Sequence, residues 1–450
     1  MTADESKRIA RYGWAAFAIL ALAYFMVYLH RTTGGALSDT FEDYYGVGTT
    51  SVALLASSYL YAYTLMQIPS GIITDRFGPR KAASVFIALI ALGSVLSAVS
   101  AYVDNFSLMV LGKFVIGLGA AVVFIPMVKV LALWFKRDQF ATMNGVILLI
   151  GNIGAIAAAT PMVLMVDLFG IGDTYIILAV ITVAVACLCW LFVRDRPAER
   201  GLPEVDHEAE KKVGTMEALR TIFGGRMRFW PLALSMFFFF GTLMMWQASQ
   251  AGSFYISVYG YDLHSSSIMV TLIGVGTIVG CPIGGLLSDK VIRSRKTVCL
   301  IGTGGYALAW AVMWATVGQD VASGMLFQGV LNFLFGFFSG FLVSTVAQVK
   351  EAFPASMSGL SVASLHTFTF IGGALAVATC GFVVAERTVG QYQTLCLIAL
   401  VMAILAFLCE VVSVEVTPED EAFTDPALDF LEYLTDKSER SRGFRRSGIV

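Results

Sequence analysis

Residues 71–81 read GIITDRFGPRK, and residues 285–296 read GLLSDKVIRSRK. Each stretch follows a long apolar run, places Gly and Asp four residues apart, and continues into arginine and lysine. Asp75 and Asp289 lie 214 residues apart. The same shift brings two further pairs into register, Gly145 with Gly359 and Asn152 with His366. These matches indicate that the chain is an internal duplication, in which each half carries one copy of the motif.

The amino-acid composition indicates that these halves fold in a lipid bilayer. The 450 residues are 57% hydrophobic and only 14% charged, whereas soluble domains are roughly a quarter charged. A helix needs about 20 apolar residues to cross a bilayer. Runs of this kind occupy residues 13–36, 50–74, 81–103, 107–134, 141–166, 174–193, 229–255, 265–287, 297–317, 323–349, 359–383 and 391–412. We therefore predict an all-α membrane protein with twelve transmembrane helices in two pseudo-symmetric six-helix halves.

Polar segments divide the chain into four parts. We expect an N-terminal bundle over 1–193, a cytoplasmic linker over 194–228, a C-terminal bundle over 229–416 and a disordered cytoplasmic tail over 417–450. Within the linker, residues 215–223 alternate apolar and polar residues at helical spacing, which suits a helix on the membrane surface or one in solvent.

Lysine and arginine are concentrated in the loops on one side of the predicted membrane. These residues are Lys7, Arg8, Arg11, Arg76, Arg80, Lys81, Lys136, Arg137, Lys290, Arg293, Arg295, Lys296 and Lys350. The loops on the other side hold almost none, with Arg387 as the clear exception. Because cytoplasmic loops carry the positive charge, we place both termini in the cytoplasm and the protein in the plasma (inner) membrane, with its first span retained.

Other classes of site find little support. The net charge of −2 gives no indication of nucleic-acid binding. The seven cysteines lie within apolar runs without a C-x-x-C pair, so neither a disulfide framework nor a metal site is indicated. We expect no cofactor and no enzymatic activity, because no nucleophile, metal cluster or pair of acids has catalytic spacing.

The motif of residues 71–81 resembles the signature between helices two and three of the major facilitator superfamily, G-x-L-a-D-r-x-G-r-k. The matching positions are Gly71, Ile73, Asp75, Arg76, Gly78, Arg80 and Lys81, with Pro79 in place of one basic residue. The second copy keeps Gly285 and Asp289 and loses the later glycine. A charged turn that merely obeys the positive-inside rule would explain the basic residues but not the repeated spacing.

This resemblance implies a fold and a working cycle. In such transporters the solute site lies near the membrane midplane between the halves, which rock about it. The resemblance also implies that Asp75 and Asp289 hold the cytoplasmic side shut in the outward-open state. Candidate partners for these carboxylates are Arg76, Arg80 and Arg137.

Ionisable residues inside the spans are few and basic. Each costs about 2.5–3.5 kcal/mol on insertion scales, so each suggests a function. They are His30, Arg31, Lys113, Lys129 and His366. The acids fall at span ends or in loops, so the site between the halves should be electropositive and suit an anion.

Arg31 has the most specific context. The order Tyr28-x-x-Arg31 resembles helix one of organic-anion branches of the superfamily, such as the glycerol-3-phosphate, hexuronate and phthalate-type permeases. There the arginine binds the anion of the substrate. A competing interpretation is that Arg31 snorkels to the outer headgroups.

The other candidates also have two interpretations each. Lys113 occupies a helix-four position where the family usually has arginine, with a role in coupling or in packing. Lys129 either lines the cavity or snorkels. His366, with an ordinary pKa of about 6.5, is either the coupled proton carrier or a hydrogen-bonding residue. The predicted substrate-binding set is Tyr28, Arg31, Lys113, Lys129, Asn152, Gln247 and His366.

These observations predict a monomeric secondary transporter for a small, carboxylate-like organic anion, coupled to protons or working by exchange. The alternative is a multidrug/proton antiporter. Helix five lacks the G-P-x-x-G-G element of drug antiporters, and no deep acid is available as a counter-charge for a cationic drug. A relative that acts as a receptor without transporting also stays open.

Overall fold

The computed structural model describes residues 3–135, 137–203, 215–353 and 357–415, and within these ranges the regular structure is helical. The first half contains α1 (Ala3–Ala36), α2 (Ser38–Tyr45), α3 (Thr49–Leu65), α4 (Gln67–Phe77), α5 (Pro79–Tyr102), α6 (Phe106–Ala120), α7 (Phe124–Trp134), α8 (Arg137–Ala157) and α9 (Thr160–Phe192). The second contains α10 (Thr215–Gly224), α11 (Arg226–Met245), α12 (Ala251–Tyr259), α13 (Leu263–Leu286), α14 (Arg295–Thr316), α15 (Met325–Ser339), α16 (Leu342–Glu351), α17 (Ser358–Val383) and α18 (Val389–Val412).

Several membrane passes consist of two helical pieces. Pass two breaks at Met66 between α3 and α4, and pass seven joins α11 to α12 through a π-helical turn at Trp246–Gln250. Conversely, α9 continues from the end of pass five into pass six through Gly170, whose φ of 79° is non-helical. The described helices thus trace twelve passes, and ten helical segments among these residues are long and apolar enough to cross a membrane. The predicted fold class is confirmed.

The packing repeats between the halves. In the first half α5 packs against α6 and α9, and in the second α14 packs against α15 and α18. The halves meet where α3 packs on α17, where α8 packs on α13, and where α1 packs on the π-helical turn of pass seven. Because these contacts pair pass two with pass eleven and pass five with pass eight, they follow the pseudo-symmetry of the duplication.

Two ends of the molecule can be distinguished. The motif end carries residues 71–81 and 285–296 together with the start of α1. The distal end carries α2 and the connection between α17 and α18.

The linker from residue 215 onwards packs on the second half. The helix predicted at 215–223 is confirmed as α10, which contacts α11 and α17. Its Ile222 is fully buried in a cluster with Phe229 and Phe353, so this helix presents one face to the protein. Residues 204–214 and the predicted tail at 417–450 lie outside the described residues.

Candidate functional site

Arg31 lies on α1, inside the protein. Its side chain is buried, and the guanidinium carbon lies 3.6 Å from the centroid of the Tyr28 ring, one helical turn earlier. The buried Nε has no hydrogen-bond partner within the described structure, and no carboxylate among the described residues forms an ion pair with the guanidinium. An enclosed cation without a counter-charge is costly. Arg31 is therefore a position where an anion would be stabilised.

Residues from both halves surround Arg31. Tyr59 and Tyr63 of α3 and His366 of α17 lie within electrostatic range of its charge. The Tyr63 ring packs on Phe370 of α17 with centroids 4.3 Å apart, and His366 lies 6.3 Å from the same Phe370 ring. Arg31 and His366 are thus brought together where the two bundles meet. Their role in binding a solute stays a prediction.

Tyr24 of α1 and helix α8 also lie near Arg31, on the side of the first half. The hydroxyl of Tyr24 donates to that of Tyr28 at 3.4 Å. A Cβ placed on Gly151 would lie 2.9 Å from the Tyr28 ring, so α8 approaches α1 closely beside this pair. The next residue, Asn152, is half-buried and has a partner. These contacts place the part of α8 around Gly151 beside Tyr24 and Tyr28.

Gln247 of pass seven faces Gly35, which lies one helical turn after Arg31 on α1, towards the distal end. It is buried in the π-helical turn, and its carbonyl oxygen would be only 2.3 Å from a Cβ on Gly35. Because only glycine permits this approach, Gly35 allows the backbones of passes one and seven to come into contact on the distal side of Arg31.

Lys113 is placed inside the first bundle. It is buried, its Nζ donates to the carbonyl oxygen of His30 at 3.1 Å, and its charge lies 5.7 Å from the Tyr175 ring. His30 Nε2 hydrogen-bonds with the Ser94 hydroxyl at 3.3 Å. In this geometry Lys113 holds the backbone of the residue just before Arg31, and so contacts the predicted site indirectly.

Lys129 lies near the motif. Its Nζ donates to the carbonyl oxygen of Thr74 at 3.4 Å, next to Asp75 in sequence. The structure therefore brings Lys129 to the C-terminal part of α4.

The motif end shows which partners its charges use. The side chains of Asp75 and Arg137 lie outside the described part of the structure. Arg80 donates from Nε to the Trp190 carbonyl at 2.8 Å and stacks on the Trp190 ring. Arg76 lies over the neighbouring Phe77 ring.

In the second copy, Asp289 pairs with Arg295, and Arg295 Nη2 also binds Glu351 Oε1 at 3.0 Å. In this conformation the described partner of Asp289 is therefore Arg295 of its own half. Arg76, Arg80 and Arg137, as partners of the two carboxylates in the outward-open state, stay a prediction. Asp289 and Arg295 are six positions apart, on either side of the turn between passes eight and nine. Their ion pair is therefore local and lies within one bundle. Gly71 and Gly285 have open space where a Cβ would stand.

Two carboxylates that the sequence interpretation missed anchor the motif copies. Asp195, just after pass six, accepts from the backbone N–H of Arg80 at 2.7 Å. Glu415, just after pass twelve, accepts from the backbone N–H of Arg295 and from the Ser294 hydroxyl, the latter at 2.7 Å. Each carboxylate satisfies the positive N-terminus of the helix that follows the motif. Asp195 and Glu415 each follow the last pass of their half. This equivalent position in the duplication was the signal in the sequence that could have identified them.

The distal end joins the two bundles through polar contacts. Ser38 and Ser253 hydroxyls lie 2.7 Å apart, and the Thr50 hydroxyl donates to the Gly381 carbonyl at 3.1 Å. Thr160 hydrogen-bonds with Ser267 at 3.1 Å. Together with the close approach at Gly35, these contacts close the distal end over Arg31.

Comparison with known families agrees with this architecture. The family model described as Major Facilitator Superfamily matches residues 20–377 and again residues 264–443. The chain belongs to the Major Facilitator Superfamily.

Within this superfamily the chain is similar to curated proteins along most of its length. It is 22% identical over 389 residues to the probable sulfoacetate transporter of Cupriavidus necator, covering 83% of this chain and 87% of that protein. It is 25% identical to the probable L-galactonate transporter of Escherichia coli, with 85% of each protein covered. It is 22% identical to the hexuronate transporter of Bacillus subtilis, covering 86% of this chain and 92% of that protein.

Two solved structures of transport proteins share the fold. A bacterial homologue of the human lysosomal transporter Spinster, in an inward-facing and unoccupied conformation, matches with a TM-score of 0.69 and 16% identity, covering 90% of this chain and 99% of that one. A D-xylose-proton symporter matches with a TM-score of 0.69 and 12% identity, covering 89% and 97%. At these identities the similarity concerns the fold alone.

Proposed function

We propose that this superfamily member is a secondary transporter that moves a small organic anion by alternating access. The observation that carries the proposal is Arg31, a buried guanidinium between the two bundles with no carboxylate partner among the described residues. An anionic solute would supply the missing counter-charge through charge-assisted hydrogen bonds, which are among the strongest polar contacts in proteins.

The similar proteins support an anionic substrate. Sulfoacetate, L-galactonate and hexuronate, in the names of three relatives, are all small organic anions. Two of them are also rich in hydroxyl groups. The phenolic groups of Tyr24, Tyr28 and Tyr63 near Arg31 can donate to and accept from such hydroxyls.

In the proposed cycle, Arg31 binds the acid group, and Tyr28, Asn152, Gln247 and His366 complete the binding set. His366 faces the same site and is the proposed proton carrier. Lys113 supports Arg31 by holding the His30 carbonyl, and Lys129 acts near the motif. Asp75 and Asp289 serve as gating residues at the motif end.

We assign the motif end to the cytoplasm because of its arginines and lysines. The closed distal end is then the external one, so the described conformation has its external gate shut. Open space at Gly71 and Gly285 means that no described helix packs closely on these two motif glycines in this conformation.

A multidrug/proton antiporter is the second candidate, and the charges near Arg31 disfavour it. Among the described residues, Glu410 is the only carboxylate whose side chain is fully buried. It accepts hydrogen bonds from Thr345 at 3.2 Å and Ser413 at 3.4 Å inside the second bundle, so it does not supply the solute site with negative charge.

The test is solute counterflow in proteoliposomes containing the purified protein. The panel should comprise hexuronates, aldonates, sulfoacetate, phosphate esters and cationic dyes. We expect at least one organic anion to exchange above the rate of protein-free vesicles and the dyes not to do so. Exchange of dyes with no exchange of anions would reject the anion assignment and favour the antiporter.

A further inference from the structure

A cluster of three charged residues bridges the bundles at the distal end. Arg387 lies in the short connection between α17 and α18, with a positive φ of 53°. Its guanidinium pairs with Asp39 of α2 and approaches Glu42 Oε1 to 2.7 Å. All three side chains are largely shielded, with exposed fractions of 20% for Arg387, 15% for Asp39 and 14% for Glu42.

Further contacts tie this cluster to the interface. Arg387 donates from Nε to the Thr49 hydroxyl of the first half at 3.1 Å. Its Nη2 donates to the Ser253 hydroxyl at 3.1 Å, and Ser253 in turn bonds Ser38 across the interface. Separation of the bundles at this end would break the contacts of Arg387 with Asp39, Glu42 and Thr49 together.

The charges in the cluster are unequal. One guanidinium faces two carboxylates, and the Tyr392 phenol of α18 is a further titratable group in electrostatic range of them. The contact between Arg387 and Glu42 is an ion pair without the alignment of a hydrogen bond. Burial raises the pKa of Glu42 above its usual range, and the negative charge of Asp39 adds to this rise, while Arg387 and the Thr49 hydroxyl oppose it.

We propose that Arg387, Asp39 and Glu42 form the latch of the distal gate, and that Glu42 takes up a proton as the gate closes. A proton on Glu42 leaves one cation facing one anion, which removes the excess negative charge from the shielded cluster. This inference rests on the alternating-access part of the proposed function, and it concerns the gate rather than the solute.

The direction of the pH effect follows from linkage. When the gate opens, Glu42 is hydrated and its pKa returns towards the ordinary value for a glutamate. Because the pKa is higher in the closed state, closing takes up protons. The ratio of closed to open molecules should therefore rise as the pH falls through the closed-state pKa of Glu42, and should be flat well above it.

The test measures gate distance without any solute. Gly48 and Gly390 flank the latch on opposite halves, and both have open space for a side chain. Spin labels on Gly48→Cys and Gly390→Cys, in a Cys187→Ala background that removes the exposed native thiol, would report the distance in lipid nanodiscs between about pH 5 and about pH 8.

Three variants separate the parts of the proposal. The otherwise wild-type latch should shift towards the short distance at low pH, whereas Glu42→Gln, which mimics the protonated side chain, should show the short distance throughout. Arg387→Gln should favour the long distance at both pH values. Asp43→Asn is the matched control, because Asp43 is an exposed carboxylate on the same helix, and it should keep the wild-type pH response.

Two results would overturn the inference. A wild-type pH response in Glu42→Gln would show that another group takes up the proton. An unchanged short distance in Arg387→Gln would show that the cluster does not hold the gate. Failure of the solute panel would leave these distances unaffected, so the two proposals fail separately.

Discussion

Replacing Arg31 by glutamine would remove the charge on which the proposed site depends while keeping a long polar side chain. The guanidinium is buried against Tyr28 and has no described carboxylate partner, so a bound anion would be its first counter-charge. A hydrogen bond to a charged group contributes about 1.5–3 kcal/mol. Since 1.4 kcal/mol corresponds to about a tenfold change in Kd, Arg31→Gln should weaken anion affinity by roughly ten- to a hundredfold.

Arg31→Lys separates charge from shape. Lysine restores the positive charge but not the planar fork that binds a carboxylate through two parallel hydrogen bonds. We therefore expect it to recover only part of the lost affinity. The assay is the concentration dependence of counterflow, for an anion identified by the solute panel, with wild type and both variants reconstituted in parallel.

Arg200→Gln provides the matched control. Arg200 also stacks on a tyrosine, with its guanidinium carbon 4.2 Å from the Tyr12 ring, but it lies after pass six at the motif end. Its replacement should leave anion affinity unchanged. Wild-type affinity in both Arg31 variants would refute the reasoning, because it would mean that the buried charge does not contact the solute.

Four further substitutions test other parts of the account. Lys113→Met should weaken anion affinity by less than Arg31→Gln in the same counterflow assay, because Lys113 acts through the His30 carbonyl; an equal loss would indicate direct contact. His366→Gln should abolish uptake driven by a pH gradient and leave exchange intact, so persistent gradient-driven uptake would assign the proton elsewhere. Asp75→Asn should slow counterflow without changing equilibrium binding, whereas loss of binding would move Asp75 into the solute site. Gly35→Ala should lengthen the distal spin-label distance, because its Cβ would collide with the Gln247 carbonyl; an unchanged distance would mean that passes one and seven can adjust.

The fold was predictable because hydrophobicity in a membrane protein marks each pass directly. Runs of about 20 apolar residues must be helical, since the bilayer offers no other partner for backbone polar groups. The breaks within passes were less predictable. The helix before Met66 is rich in apolar residues, and neither a proline nor a glycine marks the break at Met66 itself. The residues of the π-helical turn, WQASQ, do not differ in type from those of an α-helix. These irregularities depend on packing against neighbouring helices.

The site was predictable in its residue types and only partly in its arrangement. The cost of charge in a membrane singled out Arg31 and His366, and the duplication related Asn152 to His366. The same cost also singled out Lys113, but helical spacing alone could not show that its ammonium binds the carbonyl of His30, 83 residues away in the chain.

The sequence contained one indication of the proposed distal latch. Arg387 was the one clear exception to the charge bias, and that exception was the signal that it had a specific partner. The sequence could not identify Asp39 as that partner, because the two residues are 348 positions apart and belong to different halves. Acidic residues at the ends of membrane spans are common. Only the packing of the two bundles shows that Asp39 is the acid that contacts Arg387.

Equilibrium binding to the purified protein isolates the effect of the solute's charge from coupling and gating. Calorimetric titrations should compare each organic acid that exchanges in vesicles with its neutral amide or alcohol analogue of similar size. We predict that the acids bind, that their neutral analogues bind at least tenfold more weakly by the contact energy of about 1.5–3 kcal/mol, and that this preference disappears in Arg31→Gln. Equal affinity of the wild type for the acids and their neutral analogues would contradict the proposal that this protein selects an anion through Arg31.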